Sequence, residues 1–501
     1  MTFRFGRAGA ALLLAFALAG CGSSTPVGPG GQTFPAFAEP LSHKGQWLVD
    51  AQGRVVIFHG TNVAMKLRPY TPQAQGFTQQ DAAMLAREGF SVVRVWVFWN
   101  AIEPAPGQWD DSSLVALRQF IGWLHEYGIS TILNFGQTVW GERFGGLGFP
   151  DWAANTNGLA PINMGSVGQD ILLEPPLQLA WDNFYANQAF PGTVGLEDEL
   201  AQAWTHVAQF FRDTPGIVGY DLVNEPEAGT QTITCLTPLG CPLYDSLNLT
   251  PFYERIVAAV RKVDDKHMLM YEPEVISAGG LTNSHVSAGT DPNLAVTFHF
   301  YPQTDSGISG AASQQISKFT QLASSNGDGL LFTEFGATDD LTQLSAVVEA
   351  ADQANQGWLY WAWYSTEPTG DPARPTTEVS TPQEGFIVDP ALPPDESNLK
   401  ADKLTVLDRP YPYFTAGTPQ SWSFDTTTRT FSFSYSTSPV GGAASATGPT
   451  VVVLPARTYP GGYQATVSGA QITSAPGSRI LTLEAHPGIQ TVELTVSPQG
   501  S

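Results

Sequence analysis

Apolar stretches of strand length alternate with amphipathic stretches of helix length along most of the chain. β-Branched and aromatic residues dominate the apolar stretches, which is typical of buried strands. The predicted strands are 55–62, 91–98, 130–135, 216–224, 267–272, 294–300, 330–334 and 358–363. Helices are predicted at 78–88, 112–127, 196–212, 251–263, 313–324 and 341–355. Eight strands with intervening helices over about three hundred residues predict an α/β fold, a (β/α)8 or TIM barrel.

One long segment, residues 136–195, interrupts this alternation. It is rich in Gly, Pro, Asn and aromatic residues, and we interpret it as a loop. A loop of that length inside a compact domain is usually functional.

The pattern changes again after residue 363. A Pro/Thr/Asp-rich loop is predicted at 365–394 and a domain hinge at 409–419. From residue 421 onward only short strands separated by turn signals follow, which predicts a C-terminal antiparallel β-sandwich. We therefore expect a barrel domain at 41–414 and a sandwich domain at 415–501. The sandwich carries no cluster of catalytic residue types, so we expect a stabilising or spacing role, with sugar or lipid binding as the alternative.

The first twenty residues have the pattern of an export signal, with Arg4 and Arg7 before an apolar run at 8–18. The run is too short to span a bilayer in the mature protein. The sequence Leu18-Ala19-Gly20-Cys21 that follows resembles the bacterial lipoprotein box, in which the cysteine is lipidated. A plain secretory signal with an incidental cysteine is the alternative. Residues 21–40 read as a flexible tether. We expect an exported protein, lipid-anchored at the bacterial cell surface or periplasmic face or released outside the cell.

The composition and net charge of the chain argue against some classes of binding partner. The chain has 23 basic and 46 acidic residues, a net charge of -23, which argues against nucleic acid and against attraction to anionic lipid. Aromatic residues make up 11% of the chain, which suits a carbohydrate platform but also an ordinary core. We expect a monomer that needs no cofactor.

Cys235 and Cys241 lie close together in a chain expected to reach an oxidising compartment, so we predict a small disulfide loop. Two free thiols or half of a metal site are the alternatives. Residues that could complete a zinc site are missing nearby, and no metal site is predicted.

Two carboxylates mark the candidate chemistry. Glu225, in Asn224-Glu225-Pro226, ends the predicted fourth strand, and Glu334 ends the predicted seventh. The carboxyl ends of barrel strands form the mouth where such folds keep their active sites, and these two strands lie on opposite sides of it. Facing carboxylates about 5 Å apart suit retaining glycoside hydrolysis, one giving a proton and the other attacking the anomeric carbon. A single acidic residue at a strand end would more often face water, so the prediction of an active site rests on the presence of both carboxylates.

Further residues at strand ends make the chain resemble glycoside hydrolase family 5. They are Arg94 in SVVRVW, Asn224-Glu225-Pro226, His299 and Tyr301 in FHFYP, Glu334 in FTEFG, and Trp361 in GWLYWAW. Within that family the segments NVAMKLRPY, FWNAIEPAPGQWD and RFGGLGFPDWA, the hinge and the predicted sandwich resemble endoglycoceramidases. Those enzymes cut the bond between an oligosaccharide and ceramide. The resemblance covers nearly everything from Gly45 onward.

The resemblance implies a role for each matching position. Glu225 would be the acid/base and Glu334 the nucleophile. Substrate-binding or supporting roles are implied for Arg94 beneath Glu334, Asn224 at the sugar 2-hydroxyl, Tyr301 as a donor to Glu334, His299 as a holder of Glu225, Trp361 as the sugar floor with Trp363 as the second choice, and Lys66 at a sugar hydroxyl.

One stretch departs from the family pattern. Where endoglycoceramidases usually carry Asp-Met-His-Gln-Asp after the third strand, this chain reads Asn134-Phe135-Gly136-Gln137-Thr138. The histidine position is a glycine and both acids are lost, so the resemblance does not identify the sugar that is accepted at the cleavage site. Gln137 is expected to compensate in part.

The leading hypothesis is a retaining β-glycosidase acting on a glycolipid. The alternatives are a family 5 β-glucosidase or endoglucanase acting on polysaccharide or sterol glycoside, and a surface lipoprotein that binds glycans with weakened catalysis.

Overall fold

The computed structural model describes residues 33–190, 192–302, 307–365, 381–442 and 445–500. The predicted signal peptide, Cys21, most of the predicted tether and part of the predicted 365–394 loop lie outside these residues. Within the described ranges, no helix combines the length and apolar character that a bilayer crossing requires.

Eight parallel strands close into a barrel, in chain order around it, which confirms the predicted TIM barrel. Every residue of these strands is buried, as expected of a parallel sheet covered on both faces. The strands are β1 (His59–Val63), β2 (Val92–Val97), β3 (Ser130–Phe135), β4 (Ile217–Asp221), β5 (Met268–Tyr271), β6 (Leu294–Phe300), β7 (Gly329–Gly336) and β8 (Trp358–Trp361).

Amphipathic helices connect the strands, each with one face buried. The longer ones are Gln79–Arg87, Ser112–Glu126, Pro175–Tyr185, Leu196–Phe211, Thr250–Val260, Ile308–Asn326 and Leu341–Gln353. Shorter helical segments are Trp99–Ile102, Val167–Leu173, Thr232–Cys235, Pro242–Tyr244, the π-helical Asp245–Leu249, Val275–Ala278 and Ala401–Leu407. Thr78 caps the first helix, because its hydroxyl accepts from Gln80 N and Asp81 accepts from Thr78 N.

Two sequence predictions within the barrel domain were wrong. Residues 55–62 are not one strand: Val55–Val56 pairs with the C-terminal sheet, and β1 starts only at His59. A continuous apolar run gives no sign of where a chain changes sheets, which explains the error. Residues 136–195 are not all loop, since they contain Val167–Leu173 and Pro175–Tyr185. Ser166 caps the first of these helices, and a proline starts the second, a helix signal that the Gly and Asn content obscured.

The C-terminal region forms two antiparallel sheets, as predicted. The predicted hinge at 409–419 was wrong, because it contains the buried strand Tyr411–Thr415 and the start of Thr418–Asp425. One has the order Ser42–Lys44, Trp47–Val49, Val55–Val56, Tyr411–Thr415, Thr450–Val453, Ile480–Ala485 and Ala470–Ile472. The other has the order Thr418–Asp425, Thr430–Ser436, Thr491–Pro498 and Tyr463–Ser468. Three strands from the start of the described chain thus complete the first sheet. A buried ion pair of 2.7 Å joins Arg409, just before the strand Tyr411–Thr415, to Asp352 on the barrel helix Leu341–Gln353.

Candidate active site

Glu225 is held in a strained turn at the mouth of the barrel. β4 ends at Asp221, and Glu225 has a φ of 42°, a left-handed conformation that is costly for a residue with a Cβ. Two side chains clamp its backbone: Glu272 accepts from Glu225 N at 2.9 Å, and Gln137 Nε2 donates to its carbonyl at 2.7 Å. The clamp fixes the direction in which the Glu225 carboxyl leaves the turn.

Glu334 is aimed by an irregularity in β7. Phe332 pairs with Phe298 of β6, and Glu334 pairs with His299, so β7 uses one residue more than its neighbour over this interval. A bulge of this kind redirects a side chain at the end of a strand. It turns the Glu334 carboxyl into the barrel mouth rather than into the surrounding core.

The two carboxylates meet across the mouth. One oxygen of Glu225, one of Glu334 and a ring nitrogen of His299 all lie within 4.8 Å of one another. That spacing matches the short carboxyl separation of retaining glycosidases, about 5–5.5 Å, rather than the longer one that admits a water molecule. The arrangement suits direct attack by one carboxylate while the other handles the proton.

His299 supplies a proton to the Glu225 side of the mouth. Its Nδ1 lies 2.7 Å from Glu225 Oε1, and its Nε2 lies 3.4 Å from Glu272 Oε1. Burial alone would lower the pKa of His299, but the carboxylates of Glu272 and Glu334 and the hydrogen bond to Glu225 raise it well above its usual range. The raised pKa of His299 means that its imidazole holds a proton more firmly than an isolated imidazole does.

Both oxygens of Glu334 accept hydrogen bonds. Arg94 Nη1 donates to Oε1 at 2.5 Å, and the Tyr301 hydroxyl donates to Oε2 at 2.9 Å. Burial raises the pKa of Glu334, with the charges of His299 and Arg94 acting in the opposite direction. Burial and the Glu334 charge raise the pKa of Tyr301 well above its usual value, so the hydroxyl remains a donor. Two donors on two oxygens match an ionised carboxylate ready to attack.

Arg94 is fully buried beneath the mouth and contacts three carboxylates. Besides Glu334 it binds Asp221 at 2.7 Å and Glu272 at 2.6 Å. Burial alone would lower the pKa of Arg94, and these carboxylates raise it instead. Burial raises the pKa of Asp221 to about 7 despite the neighbouring guanidinium. Sequence reasoning missed Asp221 and Glu272 as site residues, although each lies at or just beyond the end of a barrel strand, the same signal that identified Glu225.

Asn224 belongs to the same buried network. Its Oδ1 accepts from Arg94 Nη2 at 3.0 Å, and its Nδ2 donates to the Gln137 carbonyl at 3.1 Å. The structure places it directly beside Glu225, and its predicted contact with a sugar hydroxyl stays a prediction.

Gln137 does not face a sugar site, in contrast to the expectation that it replaces lost sugar contacts. Its amide donates to the carbonyls of Asn224 and Glu225, and its oxygen accepts from Trp140 N at 2.9 Å. The side chain is 1% exposed. Because these backbone groups occupy its polar atoms, Gln137 positions the acid/base turn.

Trp361 and Lys66 lie together at the mouth. The Trp361 indole donates to Glu384 Oε2 at 3.0 Å, while Lys66 Nζ lies 3.7 Å from the same oxygen and 5.3 Å from the centre of the Trp361 ring. This cluster is consistent with the predicted sugar floor. Trp363, the second choice, is fully buried with its indole donating to Asp81, and the structure does not bring it to the site. Glu384 was missed because it comes from the loop after the barrel, far from any strand end.

The missing side chain at Gly136 is accounted for by Trp96. The Trp96 ring packs so closely on Gly136 that any Cβ there would collide with it. Trp96 also packs against Trp361, with ring centres 5.2 Å apart, in a small aromatic cluster at the mouth that includes Tyr70 and Phe98. An aromatic wall therefore stands where the family pattern has polar groups.

Glu225, His299 and Glu334 are also close enough together to hold a cation. Their nearest atoms are already joined to one another, to Arg94 and to Tyr301 by hydrogen bonds. The neighbouring Arg94 guanidinium carries a fixed positive charge, which disfavours a metal cation at this spot.

Comparison with known proteins places this geometry in a family context. The family described as cellulase, glycosyl hydrolase family 5, matches residues 49–367, and the glycoside hydrolase family 5 C-terminal domain matches residues 409–496. Endoglycoceramidase I of Rhodococcus hoagii (strain 103S) is 29% identical over 92% of this chain and 89% of its own length. The endoglycoceramidase of Hydra vulgaris is 27% identical over 83% of this chain and 81% of its own. The structure of endo-glycoceramidase II from Rhodococcus sp. in a five-membered iminocyclitol complex has a TM-score of 0.73 at 26% identity, covering 91% of this chain and 100% of that one.

Proposed function

The chain belongs to glycoside hydrolase family 5, and on that premise we propose that it hydrolyses the β-glycosidic bond between a glycan and a lipid, as an endoglycoceramidase does. The observation that carries the chemistry is the separation of the Glu225 and Glu334 oxygens, within 4.8 Å across the barrel mouth. The lipid aglycone is supported by the endoglycoceramidase relatives, which match along most of the chain.

The reaction has two steps. In the first, a Glu334 oxygen attacks the anomeric carbon, the glycosidic C–O bond breaks, and Glu225 gives its proton to the leaving lipid oxygen. His299, 2.7 Å from Glu225 Oε1, keeps that proton available. The product is a glycosyl ester on Glu334 and a free lipid alcohol.

In the second step the roles reverse. The Glu225 carboxylate takes a proton from water, the water oxygen bonds to the anomeric carbon, and the ester bond to Glu334 breaks. Two inversions at the same carbon leave the β configuration unchanged. Arg94 and Tyr301 stabilise the departing Glu334 carboxylate through the hydrogen bonds they already make to it.

The test measures release of intact glycan from a panel of glycosylceramides, with cellulose oligomers and steryl glucoside as competing substrates. Glycan release with retained configuration, followed by NMR, supports the proposal. Activity on the competing substrates alone would select a β-glucosidase or endoglucanase. Glycolipid binding without turnover of any substrate would select the binding lipoprotein.

Variants separate the roles of the two carboxylates. Glu334→Ala should lower the rate on every substrate by about four or more powers of ten. Glu225→Ala should spare the first step for aryl glycosides with good leaving groups, and azide should then trap the glycosyl-enzyme as a β-glycosyl azide. Glu349→Ala, at an exposed position on the Leu341–Gln353 helix, is the matched control and should leave the rate unchanged. Normal activity in Glu334→Ala would refute the assignment.

Export and lipidation at Cys21 are part of this proposal. Their support is the sequence pattern around residues 1–21. Cys21→Ser should release the protein from the membrane fraction in a bacterial host, and light scattering should report a monomer.

A further inference from the structure

Large apolar side chains are exposed on the segment that follows Glu225. They lie on the helical turn Thr232–Cys235, on the loop after it, and on the helix that begins at Pro242. Their exposed fractions are 64%, 45%, 69%, 71% and 72%, for Ile233, Leu236, Leu239, Leu243 and Leu247. We call these five residues the apolar rim. Soluble proteins seldom expose so many large apolar side chains in one place without a partner.

The apolar rim carries no charge. Residues 228–244 contain no Asp, Glu, Lys, Arg or His, although the whole chain has a net charge of -23. Asp245, the next residue of a charged type, is 1% exposed and accepts hydrogen bonds from Ser284 and His285. An uncharged surface on a strongly acidic protein can approach a neutral apolar partner without electrostatic cost.

The segment is firmly held, so the exposure of its side chains is not the result of a loose loop. A disulfide joins Cys235 to Cys241 across the loop that carries Leu236 and Leu239. Gly240 packs on the backbone of Asn283, and the Tyr244 hydroxyl bonds to that of Tyr185 at 2.7 Å. The rigid framework faces inward and presents the apolar residues outward.

Neighbouring loops extend the apolar rim. The helix Val167–Leu173 packs against Thr232–Cys235 and adds Leu173, 54% exposed. Leu281, 51% exposed, lies two residues from Asn283, on which Gly240 packs. Leu173 ends a helix in the segment that follows β3, and Leu281 lies in the segment that follows β5.

The apolar rim belongs to the chain segment that directly follows Glu225, the proposed acid/base. Glu225 protonates the leaving oxygen, so the aglycone must lie next to the strand and loop that carry this residue. Residues 226–249 are that loop. An apolar aglycone whose tails remain in a lipid layer would bring that layer against this part of the surface.

We propose that the apolar rim docks on an uncharged lipid surface and holds the barrel mouth at the layer in which the glycolipid is embedded. This inference rests on the proposed function for its substrate. Burial of exposed leucines in lipid supplies the affinity, and the absence of charge allows approach to a zwitterionic surface.

The experiment compares two double variants in a Cys21→Ser background, so that no lipid on residue 21 contributes. The rim variant is Leu239→Asp with Leu243→Asp. The control is Val115→Asp with Ile472→Asp, which adds the same charge at exposed apolar positions on the Ser112–Glu126 helix and in the C-terminal sheets. Binding is measured by co-sedimentation with phosphatidylcholine vesicles that contain a neutral glycosylceramide. Turnover is measured on the same vesicles and on a soluble aryl β-glycoside.

We expect the rim variant to bind vesicles at least about tenfold more weakly than the control and to lose a similar factor in turnover on vesicles. Turnover of the soluble glycoside should stay the same in both. Equal vesicle binding by the two variants would overturn the inference. A second result would also overturn it: a wild-type dimer that dissociates only in the rim variant, while vesicle binding stays unchanged. The apolar rim would then be a contact between two copies of the chain. Rim-dependent vesicle binding without any glycolipid cleavage would support docking and refute the proposed function.

Discussion

The indole ring of Trp96 occupies the space that a side chain at Gly136 would need. A Cβ on Gly136 would lie 2.3 Å from Cδ2 and Cε3 of the Trp96 indole, closer than real atoms approach. Trp96 lies in β2 and pairs with Asn134 of the neighbouring β3, and Gly136 directly follows the end of β3. The loss of a side chain at 136 and the large ring at 96 are therefore one feature of the site.

This pairing predicts strong non-additivity. Gly136→His should overpack the mouth, lowering the melting temperature by several degrees and the activity by at least about tenfold. Adding Trp96→Gly should remove the clash and recover most of the stability. The measurement is a double-mutant cycle on melting temperature and on kcat/KM. Gly122→His, in a helix where a Cβ meets nothing within 4 Å, is the control and should change little. Additive effects would show that the two positions are independent.

Gln137 should affect catalysis because its side chain holds the backbone of Glu225, the proposed acid/base. Gln137→Ala removes the donor to the Glu225 carbonyl and leaves two buried carbonyls without this partner, which costs about 1–3 kcal/mol. Because the strained turn is then less well held, kcat should fall by about ten- to a hundredfold.

The effect of Gln137→Ala should be largest on substrates with poor leaving groups, which depend most on protonation. A series of aryl glycosides of graded leaving-group pKa tests this. Gln73→Ala, which removes a hydrogen bond to Ala116 on the outside of the barrel, should leave the series unchanged. An equal loss across the series would point to general destabilisation.

Tyr301 should act on the nucleophile. Tyr301→Phe removes the 2.9 Å hydrogen bond to Glu334 Oε2, and hydrogen bonds to charged groups contribute about 1.5–3 kcal/mol. We expect kcat/KM to fall by about ten- to a hundredfold while folding is kept. Tyr459→Phe is the matched control, since the buried Tyr459 hydroxyl has no hydrogen-bond partner among the described residues. An unchanged kcat/KM in Tyr301→Phe would separate this hydroxyl from catalysis.

Stability should fall as pH rises from about 5 to 7.5. Burial raises the pKa of Asp221, Glu274, Glu197 and Glu103 to about 7 and that of Asp245 to about 6. Over this range the folded state holds more protons than the unfolded chain, so deprotonation favours unfolding. Below about pH 4 the trend should reverse, because carboxylates whose pKa is lowered in the folded protein, Asp264 among them, take up protons more readily in the unfolded chain.

Urea unfolding at pH 5.0 and pH 7.5 measures this dependence. Glu274→Gln removes one of the buried carboxyls and should make the slope shallower, even if it lowers stability at both pH values. Asp389→Asn, at an exposed carboxyl, should leave the slope as it is. Higher stability at pH 7.5 than at pH 5.0 would contradict the prediction.

Much of the site was accessible from the sequence because a barrel brings the carboxyl ends of its strands together. Once strands β4, β6 and β7 were recognised, the positions of Glu225, His299 and Glu334 at or near their ends implied one cluster. Arg94 lies within β2 rather than at its end, and its place in the site was expected only from the family resemblance. The hydrophobic periodicity of each strand and the order of the strands along the chain can both be read from a sequence.

The sequence by itself determined the eight-stranded barrel, the antiparallel C-terminal sheets and the facing pair of carboxylates. Only the tertiary structure decided that Trp96 fills the space at Gly136, that Gln137 serves the backbone of Glu225, and that Glu384 reaches Trp361 from a distant loop. It also decided which residues near the start of the described chain complete the C-terminal sheet. The physical reason is common to all four: each depends on which side chains or strands meet across large separations, and hydrophobic periodicity carries no information about those meetings.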